Sequence, residues 1–209
     1  AEGSGHIVTI GRWVLDRALA QMGQWQREGC HLPCVFVNVA AVEFTPDFAA
    51  HVSRSLDRHG VAPHQLTLEI TERQLPHLTL NRAARELREI GVRLALDDFG
   101  AGYSSMAQLA CLPVDIMKID GDFVRNLDTP TGPRLVHAMV QLAKSLGLVT
   151  VAEGVEDLGQ AADLTNLGVD LAQGYLLGRP VSAERLTEQL PRVPGKAVPS
   201  AERVMQGHD

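Results

Sequence analysis

The sequence contains no apolar run of membrane-spanning length and no signal-peptide pattern, so it reads as a soluble, cytoplasmic segment without membrane contact. Basic charge is not in excess. Nineteen Lys and Arg against 25 Asp and Glu give a net charge of -6, which argues against DNA or RNA as partner. A small anionic ligand stays possible only if bound cations first reverse the local field. Cysteine is scarce: Cys30, Cys34 and Cys111 make an odd set with no C-x-x-C pair. That excludes a disulfide framework and points to free thiols in a reducing compartment. A zinc site built on Cys30, Cys34 and a histidine would lack its second ligand pair.

What is present is enough apolar residue, 45% of 209, for one core but not comfortably for two. Short β-rich runs fall at Val35–Val39, Leu66–Thr71, Val92–Asp97, Ile116–Asp120, Val149–Glu153 and Leu171–Tyr175. Helical stretches are expected at about 10–28, 46–59, 79–90, 104–110, 132–146, 157–167 and 182–190. Thr45-Pro46 reads as an N-cap followed by a first helical residue. Gly60, Gly91, Gly147 and Gly168 each stand where a left-handed helix terminus is wanted. Residues 1–190 are therefore read as one domain and 191–209, with three prolines and no apolar period, as a flexible tail.

Strands alternating with helices imply a parallel sheet joined by right-handed crossovers. Parity within the strands selects the kind. Leu66, Leu68 and Ile70 oppose Thr67, Glu69 and Thr71; Met117 and Ile119 oppose Lys118 and Asp120. One face is apolar throughout and the other turns polar toward the C-terminal end. A doubly wound sheet would be apolar on both faces. A polar mouth fits a TIM-like (β/α) barrel, whose active sites lie at that end. Only six strands are visible where a closed barrel has eight, so the barrel is expected to be incomplete at its N-terminus.

Asn38, Glu69, Asp97, Asp98, Lys118, Asp120, Glu153 and Gln173 all sit at or near strand ends. Each alone is more often a turn, paired or solvated residue. Together they bring so many carboxylates to one mouth that cations must neutralise them, and Lys118 is the one cation in the set. The donors are all oxygen, which selects hard ions such as Mg²⁺ or Mn²⁺ over zinc. Asp97 can bridge two ions and Asp98 can hold the second, an arrangement suited to in-line attack on a phosphodiester. Lys118 is placed to orient the nucleophile or offset developing charge, and Glu153 to ligate the second ion or accept the proton of water. The D-F-G at 98–100 lacks the other marks of a kinase, and G-A-G-Y is too short for a dinucleotide site.

The runs F-V-N-V-A (36–40), L-E-I-T-E (68–72), D-D-F-G-A-G-Y-S-S (97–105), L-P-V-D-I-M-K-I-D (112–120), V-A-E-G-V-E (151–156) and Q-G-Y-L-L-G-R-P (173–180) resemble, in order, the motifs of the EAL-domain family. The opening A-E-G-S-G-H-I-V-T-I-G-R-W-V-L resembles it too. The resemblance implies a bacterial cyclic-di-GMP phosphodiesterase yielding linear pGpG, dependent on two Mg²⁺ or Mn²⁺ ions and usually a homodimer. A sensory or GGDEF-type domain is expected upstream. By motif, Asn38, Glu69 and Asp97 resemble ligands of the first ion, and Asp97, Asp98 and Glu153 those of the second. Lys118 resembles the residue that holds the catalytic water. Glu72 resembles the anchor of the loop at 99–105; Glu156 and Gln173, like Asp120, resemble supporting residues.

The sequence departs from the family in lacking the E-A-L motif itself, whose Glu is a metal ligand, and the strand that carries it. Ala101 stands where Thr is common. The alternative to an enzyme is a non-catalytic module that binds cyclic-di-GMP or a partner protein. Every acidic motif residue within the span is retained, which favours the enzyme; another metal-dependent barrel enzyme, such as an enolase-like lyase, fits the combined motifs poorly.

Overall fold

The structure, a computed structural model, describes residues 6–72, 78–100 and 113–192. Its six strands are β1 (Val35–Asn38), β2 (Leu66–Thr71), β3 (Arg93–Phe99), β4 (Ile116–Ile119), β5 (Val149–Ala152) and β6 (Leu171–Ala172). The helices are α1 (Ile7–Arg27), α2 (Phe48–His59), α3 (Leu78–Glu89), α4 (Gly121–Arg125), α5 (Gly132–Ser145), α6 (Leu158–Leu167) and α7 (Ala183–Gln189).

All neighbouring strands pair in parallel, and their order in the sheet is the order of the chain. This unbroken order lacks the reversal that splits a doubly wound sheet. The sheet also curls: Phe36 of β1 and Leu171 of β6, at its two ends, line one cavity of about 610 Å³. The result is an open half-barrel with helices outside.

Helical periodicity explains the outer layer. Leu15, Leu19, Met22 and Trp25 place one stripe of α1 in the core, and Phe48, Val52 and Leu56 do so for α2. Val136, Val140 and Ala143 do the same for α5. These stripes pack on Val37, Leu66, Leu68, Ile70, Leu94, Leu96 and Met117 in one cluster, and on Ile119 and Ala152 in another. A small third cluster lies on the inner face.

 It consists of Ala95, Ile116 and Val151 in mutual contact.

Several boundaries differ from the sequence expectation. α2 starts at Phe48 rather than at Pro46, because Thr45 and Asp47 are tied together in a turn: Thr45 Oγ1 donates to Asp47 Oδ1 at 2.6 Å. β3 runs on to Phe99, whereas β6 stops at Ala172, three residues short. Beyond Ala172 the chain is held by single bonds, Gln173 N–H to Ala152 O and Val155 N–H to Gln173 O, not by a continuous ladder. Helix α4 was not expected; Asp120 caps it by accepting from Asp122 N–H at 2.6 Å. Gly60 and Gly168 end their helices with φ of +67° and +82°, as expected. The helix expected at 104–110 lies outside the described residues. Of the 191–209 tail, Pro191 and Arg192 are described: Pro191 O accepts His31 N–H at 3.0 Å, and Arg192 bridges to Cys30.

Candidate active site

Two residues beyond Ala95, Ile116 and Val151 on the same strand face stand Asp97, Lys118 and Glu153. The apolar trio is therefore a floor, and the charged trio the layer above it, toward the C-terminal ends. Glu69 reaches the same layer from β2. Lys118 Nζ lies 2.6 Å from Glu69 Oε1, 2.9 Å from Asp97 Oδ1 and 2.5 Å from Glu153 Oε1. Its side chain is almost fully buried. Burial by itself pushes the ammonium toward neutrality, but Glu153, Glu69 and Asp97 outweigh it and hold the Lys118 pKa above its ordinary value. Burial also pushes Glu153 up; Lys118 opposes that, while Asp97 and Glu69 add to it.

Asp98 joins the group by a backbone device. Its φ is +55°, the only positive value at a non-glycine among the described residues, and the β3–β4 register shifts between Leu96 and Phe99. In a regular strand, adjacent side chains point to opposite faces. The irregularity lets both aspartates serve one mouth, at a cost of about 1–3 kcal/mol in backbone strain. Oxygens of Asp97, Asp98 and Glu153 lie within 4.8 Å of one another, the one such grouping with metal-ligand spacing found among the described residues.

These residues fit a hard divalent cation. The donors are all oxygen. Lys118 carries one positive charge against three carboxylates in contact with it. Asp97 Oδ1 is buried and pairs with the ammonium at 2.9 Å but makes no further hydrogen bond, so it keeps acceptor capacity. Lys118 contacts three carboxylates directly, so part of the neutralisation is done by the protein.

The other expected residues are distributed around this centre. Asn38 ends β1 in register with Glu69 of β2, and is exposed at the mouth. Glu72 is buried, and its Oε2 accepts Gly100 N–H at 3.0 Å, fixing the start of the segment after β3. Asp120 spends its carboxylate on the α4 cap. Glu156 is exposed, its backbone N–H donating to Gln160 Oε1 at 2.7 Å. Gln173 is exposed beyond β6. Residues 101–105 of the loop lie outside the described residues. Three anchoring carboxylates escaped the sequence reading. Asp115 Oδ2 accepts Leu94 N–H at 2.9 Å, and Asp170 Oδ2 accepts from the N–H and hydroxyl of Thr150 at 2.8 and 2.7 Å. Glu43 Oε1 accepts Ala40 N–H at 2.9 Å.

Fold and site together define a (β/α) barrel-type protein with an all-oxygen, carboxylate-rich mouth. The EAL-domain profile matches residues 1–180, and the chain belongs to the EAL-domain family. It is 40% identical over 195 residues to the bifunctional diguanylate cyclase/cyclic di-GMP phosphodiesterase MucR of Pseudomonas aeruginosa, covering 89% of this chain and 28% of that protein. It is 38% identical over 190 residues to the oxygen sensor protein DosP of Escherichia coli, covering 89% of this chain and 24% of that one. The chain thus spans about a quarter of the length of these curated relatives. Among solved structures, the MucR phosphodiesterase in complex with c-di-GMP superposes with a TM-score of 0.82 at 40% identity, covering 89% of this chain and 77% of that one. A manganese/cy-diGMP complex of Klebsiella pneumoniae BlrP1 gives 0.78 at 31% identity, covering 85% of this chain and 46% of that one.

Proposed function

We propose that this chain forms the catalytic half-barrel of a phosphodiesterase that hydrolyses cyclic-di-GMP to linear pGpG with Mg²⁺ or Mn²⁺. The observation that carries the reading is the convergence of Asp97, Asp98 and Glu153 within 4.8 Å beside a buried Lys118. The c-di-GMP complexes of its structural relatives support the choice of substrate.

In this reading Asn38, Glu69 and Asp97 would hold one cation and Asp97, Asp98 and Glu153 would hold the other. Such ions, when bound, would supply Lewis acidity, lowering the pKa of water and offsetting charge on the phosphoryl oxygens. Water adds its oxygen to phosphorus, one P–O ester bond breaks, and the departing oxygen gains a proton. Glu153 takes the water's proton and passes it to the departing oxygen, and Lys118 holds the water and offsets developing negative charge. Glu72 steadies the segment at Gly100 beside the site. Asp120, Glu156 and Gln173 support the mouth. Homodimerisation and an upstream sensory or GGDEF-type domain complete the proposal; the name of MucR, which pairs cyclase and phosphodiesterase, supports the latter.

The test is turnover of cyclic-di-GMP with Mg²⁺ or Mn²⁺ in the full-length protein, before and after chelation. Chelator is expected to abolish product, and re-addition of Mn²⁺ to restore it. Undiminished turnover in excess chelator would rule the mechanism out.

A further inference from the structure

Glu43 is 3% exposed, yet the chemistry above makes no use of it. It lies in the single helical turn Ala41–Glu43 that follows β1. Its Oε1 accepts Ala40 N–H at 2.9 Å, and its own N–H donates to Ala40 O at 2.9 Å. The chain is thereby folded back on a residue two positions beyond Asn38. On the other side the carboxylate rests on α1, where a Cβ placed on Gly11 would lie 1.8 Å from Glu43 Oε2. Toward the sheet, Val39 N–H donates to Glu69 O at 2.9 Å. Asn38 is thus fixed between the β2 ladder and a buried carboxyl seated against α1. Asn38 and Glu43 also line the same cleft between α1 and β1.

Burying an acidic group is costly, and the bond from Ala40 N–H offsets only part of that cost. We propose that Glu43 is a positioning residue for Asn38, setting how β1 presents the Asn38 amide to the cation expected beside Glu69 and Asp97. The inference rests on the metal-dependent reading above. Groups that orient a ligand from behind alter metal affinity by about tenfold to a hundredfold when removed.

The test uses Mn²⁺ binding to the whole chain, read by electron paramagnetic resonance, with thermal unfolding in chelator and in Mn²⁺. Glu43→Ala is expected to bind Mn²⁺ about tenfold or more weakly and to lose most of the Mn²⁺-induced rise in Tm. Glu43→Gln retains an oxygen acceptor for Ala40 N–H and is expected to keep both. Gly11→Ala displaces the carboxylate without deleting it and is expected to behave like Glu43→Ala. Equal Tm losses with and without Mn²⁺, at unchanged Mn²⁺ affinity, would reduce Glu43 to packing and overturn the proposal. If Glu43→Ala does not fold, Gly11→Ala and Glu43→Gln decide by the same two readouts. A wild-type chain that binds no Mn²⁺ would instead overturn the metal reading, and the positioning role with it.

Discussion

Lys118 is the residue on which both stability and the proposed chemistry converge. Removing one member of a buried ion-pair group costs about 3–5 kcal/mol, because the partner charges stay behind without compensation. Here three carboxylates would be left, so Lys118→Met should be least stable in chelator and recover in Mn²⁺, which substitutes for the lost charge. With metal present, kcat is expected to fall by about a hundredfold or more while affinity for cyclic-di-GMP changes little, since a group acting on the water matters in the transition state. Stopped turnover assays beside equilibrium binding would separate the two. A collapse of affinity at unchanged kcat would make Lys118 a substrate anchor. Alternation in I-M-K-I-D was enough to place Lys118 on the inner face, and the motif parity did the same for Glu69. Its three contacts were not legible, because they join residues from four strands. Asp98 was legible as a candidate ligand, but the left-handed backbone that brings it beside Asp97 is announced by no side-chain pattern. Glu43 was hidden because Ala40 stands where a capping box would have Ser or Thr.

At the scale of elements, two aspartates act as pins at the N-terminal ends of strands. Asp115, just before β4, holds Leu94 of β3; Asp170, just before β6, holds Thr150 of β5. Each fixes the strand before its own. The Thr150 backbone and hydroxyl bonds depress the Asp170 pKa. A depressed folded pKa gives stability that is fully present above the unfolded value of about 3.9 and is lost as pH falls through the lower folded one. Asp170→Asn should therefore be less stable than wild type at neutral pH, by about 1 kcal/mol once exposure of the group is discounted. The difference should shrink as pH drops below about 4. Urea unfolding of both proteins across that range measures it; a gap that is constant with pH would mean that charge on Asp170 contributes nothing. Strand and helix identities were readable from period and punctuation, since α1, α2 and α5 carry uninterrupted apolar stripes. Strand lengths were not: β6 has the composition of a longer strand but exposed side chains and, among the described residues, no partner on its far side to extend the ladder.

The whole molecule is shaped by a sheet that ends, among the described residues, at β1 on one side and β6 on the other. Parity and the count of strands were sufficient to read an incomplete barrel from sequence. The curl that brings the two ends toward one cavity required the structure. Inner-face side chains near those ends are open: Phe36 is 36% exposed and Leu171 53%. Edge strands offer unpaired backbone donors and acceptors that template association, and apolar neighbours strengthen it. The 209-residue chain on its own is therefore expected to associate as its concentration rises. Charge at the inner edge should oppose this, so a variant with Phe36→Lys and Leu171→Lys should stay smaller at equal concentration. Light scattering coupled to gel filtration compares the two, with circular dichroism showing that both are folded. Neither substitution touches Lys118 or its carboxylates, so Mn²⁺ affinity per chain should be retained. If the unaltered chain remains monodisperse at every concentration, its edges are already covered, and β1 and β6 do not stand open in solution.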